Sequence, residues 1–393
     1  MVKKSGSLMD WLGFRDPPDW MAAPWFGRML GRFVLLLMGL VAIGALASLW
    51  QFLAVAFHYE AGTSGEAIRN IGLVLAAAFG APFIAWRSYV AQRQANIAEQ
   101  GLTTDRINKA VEGLGREKTV RRHRKNNKGT LLYEDGPDGK PDYKKPIIEE
   151  LTEPNIEVRI GAIYALERVA RESLKDHIQI MEILCAYIRA NAPTDGLDSA
   201  PPHDAADPDQ WKKDLDKWTK ALPTTRDDIQ AALEVIGRRD PEQIAMERAA
   251  TGPGRDKGYV LDLRNTNLRR CDITQLNVDR ARLENVHLEE AGLDGAHLEG
   301  VSLDGAHLSS ATSLKAATLR GAALRDVDCS KCATVDSLVE AYGDASVKLP
   351  DGLTAGEGKL AHWSTDELDW DDFDTQRRAY QKSIGYTPPE SES

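Results

Sequence analysis

The chain has 393 residues, with 49 Lys or Arg against 59 Asp or Glu, and a formal net charge of −10. That length accommodates two or three domains, and the acidic balance argues against a general nucleic-acid binder, which carries a basic face. The four cysteines, Cys185, Cys271, Cys329 and Cys332, form no dense framework, so disulfides are not expected and a reducing compartment fits.

Residues 1–32 read as a cytoplasmic segment carrying Lys3, Lys4, Arg15, Arg28 and Arg32. Residues 33–57, FVLLLMGLVAIGALASLWQFLAVAF, hold no formal charge. As a helix this run reaches roughly 37 Å, enough for a hydrocarbon core of about 30 Å, and it is expected as transmembrane helix 1. It is too long, and starts too far along the chain, for a signal peptide. Residues 58–69 form a short external loop with Glu60 and Glu66, and the uncharged run 70–86 is expected as transmembrane helix 2. A buried core helix is the competing reading of that second run. Arg87, Arg93 and Arg106 follow it, so the positive-inside rule places both ends of the pair in the cytoplasm. Trp25, Phe26, Trp50, Trp86 and Tyr89 stand where aromatic rings suit headgroups. Gly72, Ala76 and Gly80 give the second run a smooth face for helix contact, within the chain or between copies, and Pro82 predicts a kink. Neither run carries a central charge, the usual marker of an ion pathway.

Residues 87–118 predict a polar stalk helix; Val90, Ile97 and Val111 share a seven-residue spacing that leaves a coiled coil open beside a solvated stalk. Residues 119–150 predict a basic, Gly-rich linker. Its run Arg121–Lys128, RRHRKNNK, suits anionic lipid headgroups, nucleic acid or a solvated tether. Residues 151–192 predict a helical hairpin: Pro154 opens the first helix, with Ile156, Ile160, Ile163, Leu166, Val169 and Ala170 on its apolar face. Asp176 is the expected N-cap of the second helix, which Ile180, Leu184 and Tyr187 line. One such pair resembles an armadillo or HEAT hairpin and has to dock, on the repeats described next or on another subunit. His177 and Cys185 read as buried or capping residues. Residues 193–223 predict a linker with one short helix at 211–222, and residues 224–257 a helical cap with Ile229, Leu233 and Ile236 inward.

Residues 258–332 carry the most specific pattern. An apolar residue recurs every five positions at Leu263, Leu268, Ile273, Val278, Leu283, Leu288, Leu293, Leu298, Leu303 and Leu308. One inserted residue follows, and the beat resumes at Leu314, Leu319, Leu324 and Cys329. Two positions before each centre stands a residue such as Thr266, Ala281, Ala296 or Ala322. A period of five fits neither a helix nor a strand and signals a solenoid.

Runs such as AGLDG, AHLEG and VSLDG resemble the A(D/N)Lxx units of pentapeptide-repeat proteins. The resemblance implies a right-handed quadrilateral β-helix with one pentapeptide per side. Fourteen units make about three and a half coils, a column roughly 17 Å long whose ends need covers. His287 and His307 are then expected to stack on one side, above Asn267, with His297 across the column. The order of spans, RIGAIYALERVA, DIQAALEVIGRR, repeats and a tail ending in GYTPP also resembles a group of bacterial two-span membrane proteins. The expected fold class is therefore multi-domain: two transmembrane α-helices, a cytoplasmic α-helical region and the quadrilateral β-helix. Residues 333–393 are expected as a C-terminal cap and acidic tail, with Trp363–Asp374 either a cap or a partner-binding segment.

No phosphate loop, nucleophile elbow, HExxH or acid–base pair occurs, so no catalytic or cofactor-binding residue and no cofactor is expected. The lone CxxC at Cys329 and Cys332 and the histidine ladder lack the ligand set of a metal site, so none is expected there. The leading expectation is a membrane-anchored, non-enzymatic scaffold in the bacterial inner membrane. Its expected partners are lipid and an unidentified cytoplasmic protein, with a homo-oligomer open. Alternatives are an oligomeric, channel-like effector and a DNA mimic that binds a topoisomerase. Residues 261–332 hold eleven acidic and nine basic side chains, a net −2 that poorly copies duplex charge density.

Overall fold

The computed structural model describes residues 65–198, 200–201, 207–250, 258–309, 312–330 and 335–386, with scattered helical positions between 39 and 54. Most of the span expected at 33–57, the loop at 58–64, Cys332 and the final TPP motif lie outside the described residues. The chain divides into two compact units, Met1–Gly101 and Leu102–Ser393.

The first unit contains most of helix α1 (Gly65–Leu114), which runs unbroken through both the second expected span and the stalk. Leu73, Phe83 and Ile84 are exposed on it. Among the described residues no helix is long and apolar enough to cross a membrane.

In the second unit the last turns of α1 are not a solvated stalk. Ile107, Ala110 and Leu114 are buried. Gly113 sits so close to Ala162 that a Cβ there would lie 2.8 Å from the alanine Cβ. The expected linker at 119–150 is instead ordered β-structure. Strand β1 (Glu117–His123) pairs antiparallel with β4 (Ile148–Pro154), and β2 (Tyr133–Asp135) pairs with β3 (Pro141–Pro146). The two ribbons meet where Arg124 N–H donates to Ile147 O and Leu132 N–H to Arg124 O. Charges that look like a solvated run are cross-strand pairs: Arg121–Glu150 at 2.8 Å and Arg122–Glu153 at 2.8 Å.

Helices α2 (Ile156–Glu172) and α3 (Leu174–Asn191) follow. Pro154 closes β4 rather than opening α2, whose N-cap is Asn155. Ser173, not Asp176, caps α3; Asp176 falls in the first turn and accepts the Ser173 hydroxyl at 2.6 Å. Between residues 193 and 223, helix α4 (Pro208–Ala221) starts at the Asp207 cap. Helices α5 (Asp227–Gly237) and α6 (Pro241–Ala249) come next, the latter closed by an Asp240–Gln243 capping box. Ile163, Leu166, Ile180, Leu184, Ile229, Leu233 and Ile236 are all buried in one core with the inward leucines of the repeats.

The repeats wind as a four-sided column. Parallel bridges join residues twenty apart, as in Asp262–Arg282–Ser302 and Asn267–His287–His307. Past the inserted residue the offset becomes 21, as in Gly292–Ser313 and His297–Thr318. Leucines at the pentapeptide centres and the residues two before them point inward and are buried, except for the partly buried Leu276 and Leu308. The last residue of most units turns the corner at positive φ, from Asn265 (53°) to Gly321 (67°).

The column does not stop at residue 332. Strand β5 (Ala323–Leu324) pairs parallel with β6 (Tyr342–Gly343), and Asp328 bridges Lys348. This added course hides from the five-residue pattern because Gly343 stands where a leucine is expected. The Trp363 ring fills that place, its Nε1 donating to Ala341 O at 2.9 Å. The short helix α7 (Val335–Leu338) lies between β5 and β6 in the chain, and helix α8 (Trp370–Ser383) is the last helix among the described residues.

Candidate interaction surface

The first coil presents open backbone groups on all four sides, and the helical region answers each. Arg189 donates to Asp262 O, and Asn267 N–H donates to Ala192 O at 2.7 Å. The Gln230 amide pairs twice with Asp272, accepting its N–H at 3.0 Å and donating to its carbonyl at 2.7 Å. Asn277 N–H donates to Gly237 O at 3.0 Å, and Arg239 donates to Asn277 O at 3.0 Å. Gly237 approaches so near that a Cβ there would lie 2.5 Å from Leu276 Cβ.

Two buried polar clusters hold those helices. Tyr187 donates to Asp228, which also accepts from Arg226 at 2.6 Å and lies 3.9 Å from Arg159. Burial pushes the Asp228 carboxyl up, but the Arg226 and Tyr187 hydrogen bonds outweigh it and leave it lowered. His177 is fully buried, as the sequence suggests, with Nε2 2.8 Å from Glu247; Glu247 also pairs with Arg239. Cys185 is buried too, and burial pushes its thiol up to about 11, so it is not poised as a nucleophile. Burial likewise lifts Cys271 to about 12. Cys329 is buried at its inward repeat position.

Other segments cover the column's flanks. The Trp218 ring of α4 lies under the Arg269 guanidinium, 5.1 Å from centroid to Cζ. Arg269 pairs with Glu289 at 2.9 Å, and Glu289 also accepts from His287 Nδ1 at 3.0 Å. Burial alone raises the Glu289 pKa, yet the His287 and Arg269 hydrogen bonds prevail and hold it at about 2. His287 and His307 stack at 4.1 Å and 7°, on the predicted side above Asn267. Burial first, and the like charge of His287 second, lower the His307 pKa. On another flank Phe373 of α8 packs on Tyr342, Arg325 stacks on Phe373 at 5.3 Å, and Gln381 donates to Gly321 O at 2.6 Å. Tyr386 fits against Gly300 and Gly321, where side chains would collide with it. The segment Trp363–Asp374 is thus partly a cap, through Trp363 and Phe373, and partly an exposed acidic surface.

Exposed side chains cluster on two faces, with Asp272, Thr274, Gln275, Lys315 and Ala316 on one corner and side and His297 and Thr318 on the next; Asn265, Asn285, His307 and Asp328 are exposed on the others. On the first of these sides Gly292 bridges to Ser313, and Gly295 N–H donates to Lys315 O. Among the described residues no three His, Cys, Asp or Glu side chains converge to hold a metal. Sequence reasoning placed the histidine ladder but missed the Trp218–Arg269 clamp and the Tyr386 notch. Both join residues far apart in sequence, and the only local signal was aromatic residues in otherwise polar segments.

This architecture is that of a capped β-solenoid. Residues 281–312 match the family model for pentapeptide repeats, in eight copies. The chain thus carries a pentapeptide-repeat domain. It is similar to the pentapeptide-repeat protein alr5209 from Nostoc PCC 7120, at 22% identity over 23% of this chain and 76% of that one, with a TM-score of 0.19. It is also similar to Rfr23 from Cyanothece 51142, at 27% identity over 24% and 69%, TM-score 0.14. QnrB1, a plasmid-mediated fluoroquinolone resistance protein, aligns at 14% identity over 30% and 65%, TM-score 0.17. At these scores the likenesses carry no functional argument. No curated protein matches the chain.

Proposed function

We propose that this chain is a non-enzymatic interaction scaffold whose pentapeptide-repeat column is held at a bacterial cytoplasmic membrane. The observation that carries the scaffold reading is the division of the column's surface. Caps and clamps cover its ends and parts of two flanks, while the sides bearing Asp272, Lys315, His297 and Thr318 keep exposed side chains on a backbone fixed in register. A rigid, mixed-charge face recognises a partner with little cost in ordering entropy. The uncharged run 33–57 supports the anchor, as do the exposed Leu73, Phe83 and Ile84 on α1. A net −2 over residues 261–332 does not favour DNA mimicry.

The test is affinity capture of the full chain from native membranes, comparing wild type with a K315E/T318R face variant. A reproducible protein partner lost only in the variant is the expected result. Equal recovery with both proteins, or no reproducible partner, overturns the reading.

A further inference from the structure

The double ribbon at 117–154 divides its charge. Near α2, Lys118, Arg121 and Arg122 are matched by Glu157, Glu150 and Glu153. Beyond the junction, the hairpin at 124–132 presents Arg124, Lys125 and Lys128, all exposed, and no carboxylate among the described residues pairs with them. Around them stand apolar side chains that the ribbon does not bury: Leu131, Tyr143 (75% exposed) and Ile148. Isolated two-stranded ribbons are marginal in water, so this one gains by being covered.

The same chain carries the complement. Asp366, Glu367, Asp369, Asp371 and Asp372 are exposed just before and at the start of α8, without ion pairs among the described residues, around the half-exposed Trp370. Asp374, by contrast, is bound to Arg377 and Arg378. We propose that the basic ribbon of one copy docks on the acidic start of α8 of a second copy. A two-fold pairing makes this contact twice, ribbon to tail and tail to ribbon. The inference does not rest on the scaffold reading, because the faces of the column take no part in it.

Because the contact is between exposed charges, it weakens as salt shortens the screening length from about 10 Å at 0.1 M to about 3 Å at 1 M. Sedimentation of the full chain in mild detergent tests it, with circular dichroism to check that each variant folds. In 50 mM NaCl the expected result is a dimer that loosens at least tenfold in 500 mM NaCl. R124E/K125E/K128E and D366K/E367K/D371K are each expected to weaken it by a further factor of ten or more. An equimolar mixture of the two variants is expected to associate again at low salt. A chain that is monomeric in 50 mM NaCl, an assembly indifferent to both charge reversals, or folded variants that fail to restore association on mixing overturns the proposal. So does a ribbon variant that keeps the dimer but loses binding to anionic vesicles.

Discussion

Glu289 sits at the junction of α4 and the column, where burial by itself favours the neutral acid. Arg269 and His287 reverse that preference, and the Trp218 ring stacks on Arg269. Acidification should unload this corner in two stages. The lowered pKa of His307 means the folded chain resists a proton that the unfolded chain accepts, so stability is lost as pH falls below about 6.5. Glu289 follows: its stabilisation is complete above about 4.5 and is lost as pH falls towards about 2, a total on the order of 3 kcal/mol. The melting temperature should therefore fall between pH 7 and pH 5, and H307N should flatten that first stage. A wild type whose melting is level over that interval would contradict the assignment. The stacked histidines were legible in the sequence because a twenty-residue repeat brings positions 287 and 307 into line. Glu289 was not, since nothing in such a unit announces which outward carboxylate will pair with an arginine twenty residues back.

Among the elements, the ribbon and the caps show where sequence patterning stops being informative. RRHRKNNK carries the charge of a solvated tether, and Gly129, Gly136 and Gly139 punctuate it like one. Yet Arg121 faces Glu150 across β1 and β4, a pairing of residues 29 apart that no local period reveals. Helices α2 and α3, with their regular apolar faces, were readable; their caps were each misplaced by one to three residues, as helix ends often are. The cap on the first coil is an element-scale device of another kind. Gln230 on α5 pairs with Asp272 as a neighbouring strand would. Q230A should cost about 1 kcal/mol. Amide exchange should accelerate at Asp272 more than at Ile273, whose N–H donates to Gly292 O inside the column. Equal acceleration at both would mean the cap is held by packing alone.

At the scale of the molecule, the column's register is counted in coils of four units. Removing residues 281–300 takes out one full turn and leaves each remaining side above its own kind. Removing residues 291–295 rotates everything after it by a quarter turn, so that His307 no longer stacks on His287 and Ser302 no longer lies over Arg282. The twenty-residue deletion should keep a cooperative thermal transition and the five-residue deletion should not, as calorimetry would show; equally cooperative melting of both would contradict the four-unit count. The five-residue beat made this architecture visible in advance as far as residue 330. It could not show the extra course, because Gly343 and Trp363 share between them the task that one leucine performs elsewhere.

Sealing both mouths of the column has a further outcome. A bare coil would offer its backbone as a template on which another chain could go on winding, and the product would be a fibre without defined length. Here Gln230, Ala192 and Gly237 occupy that template at one mouth and Trp363 plugs the other. Growth along the axis is closed, and copies of this molecule can gather only side by side.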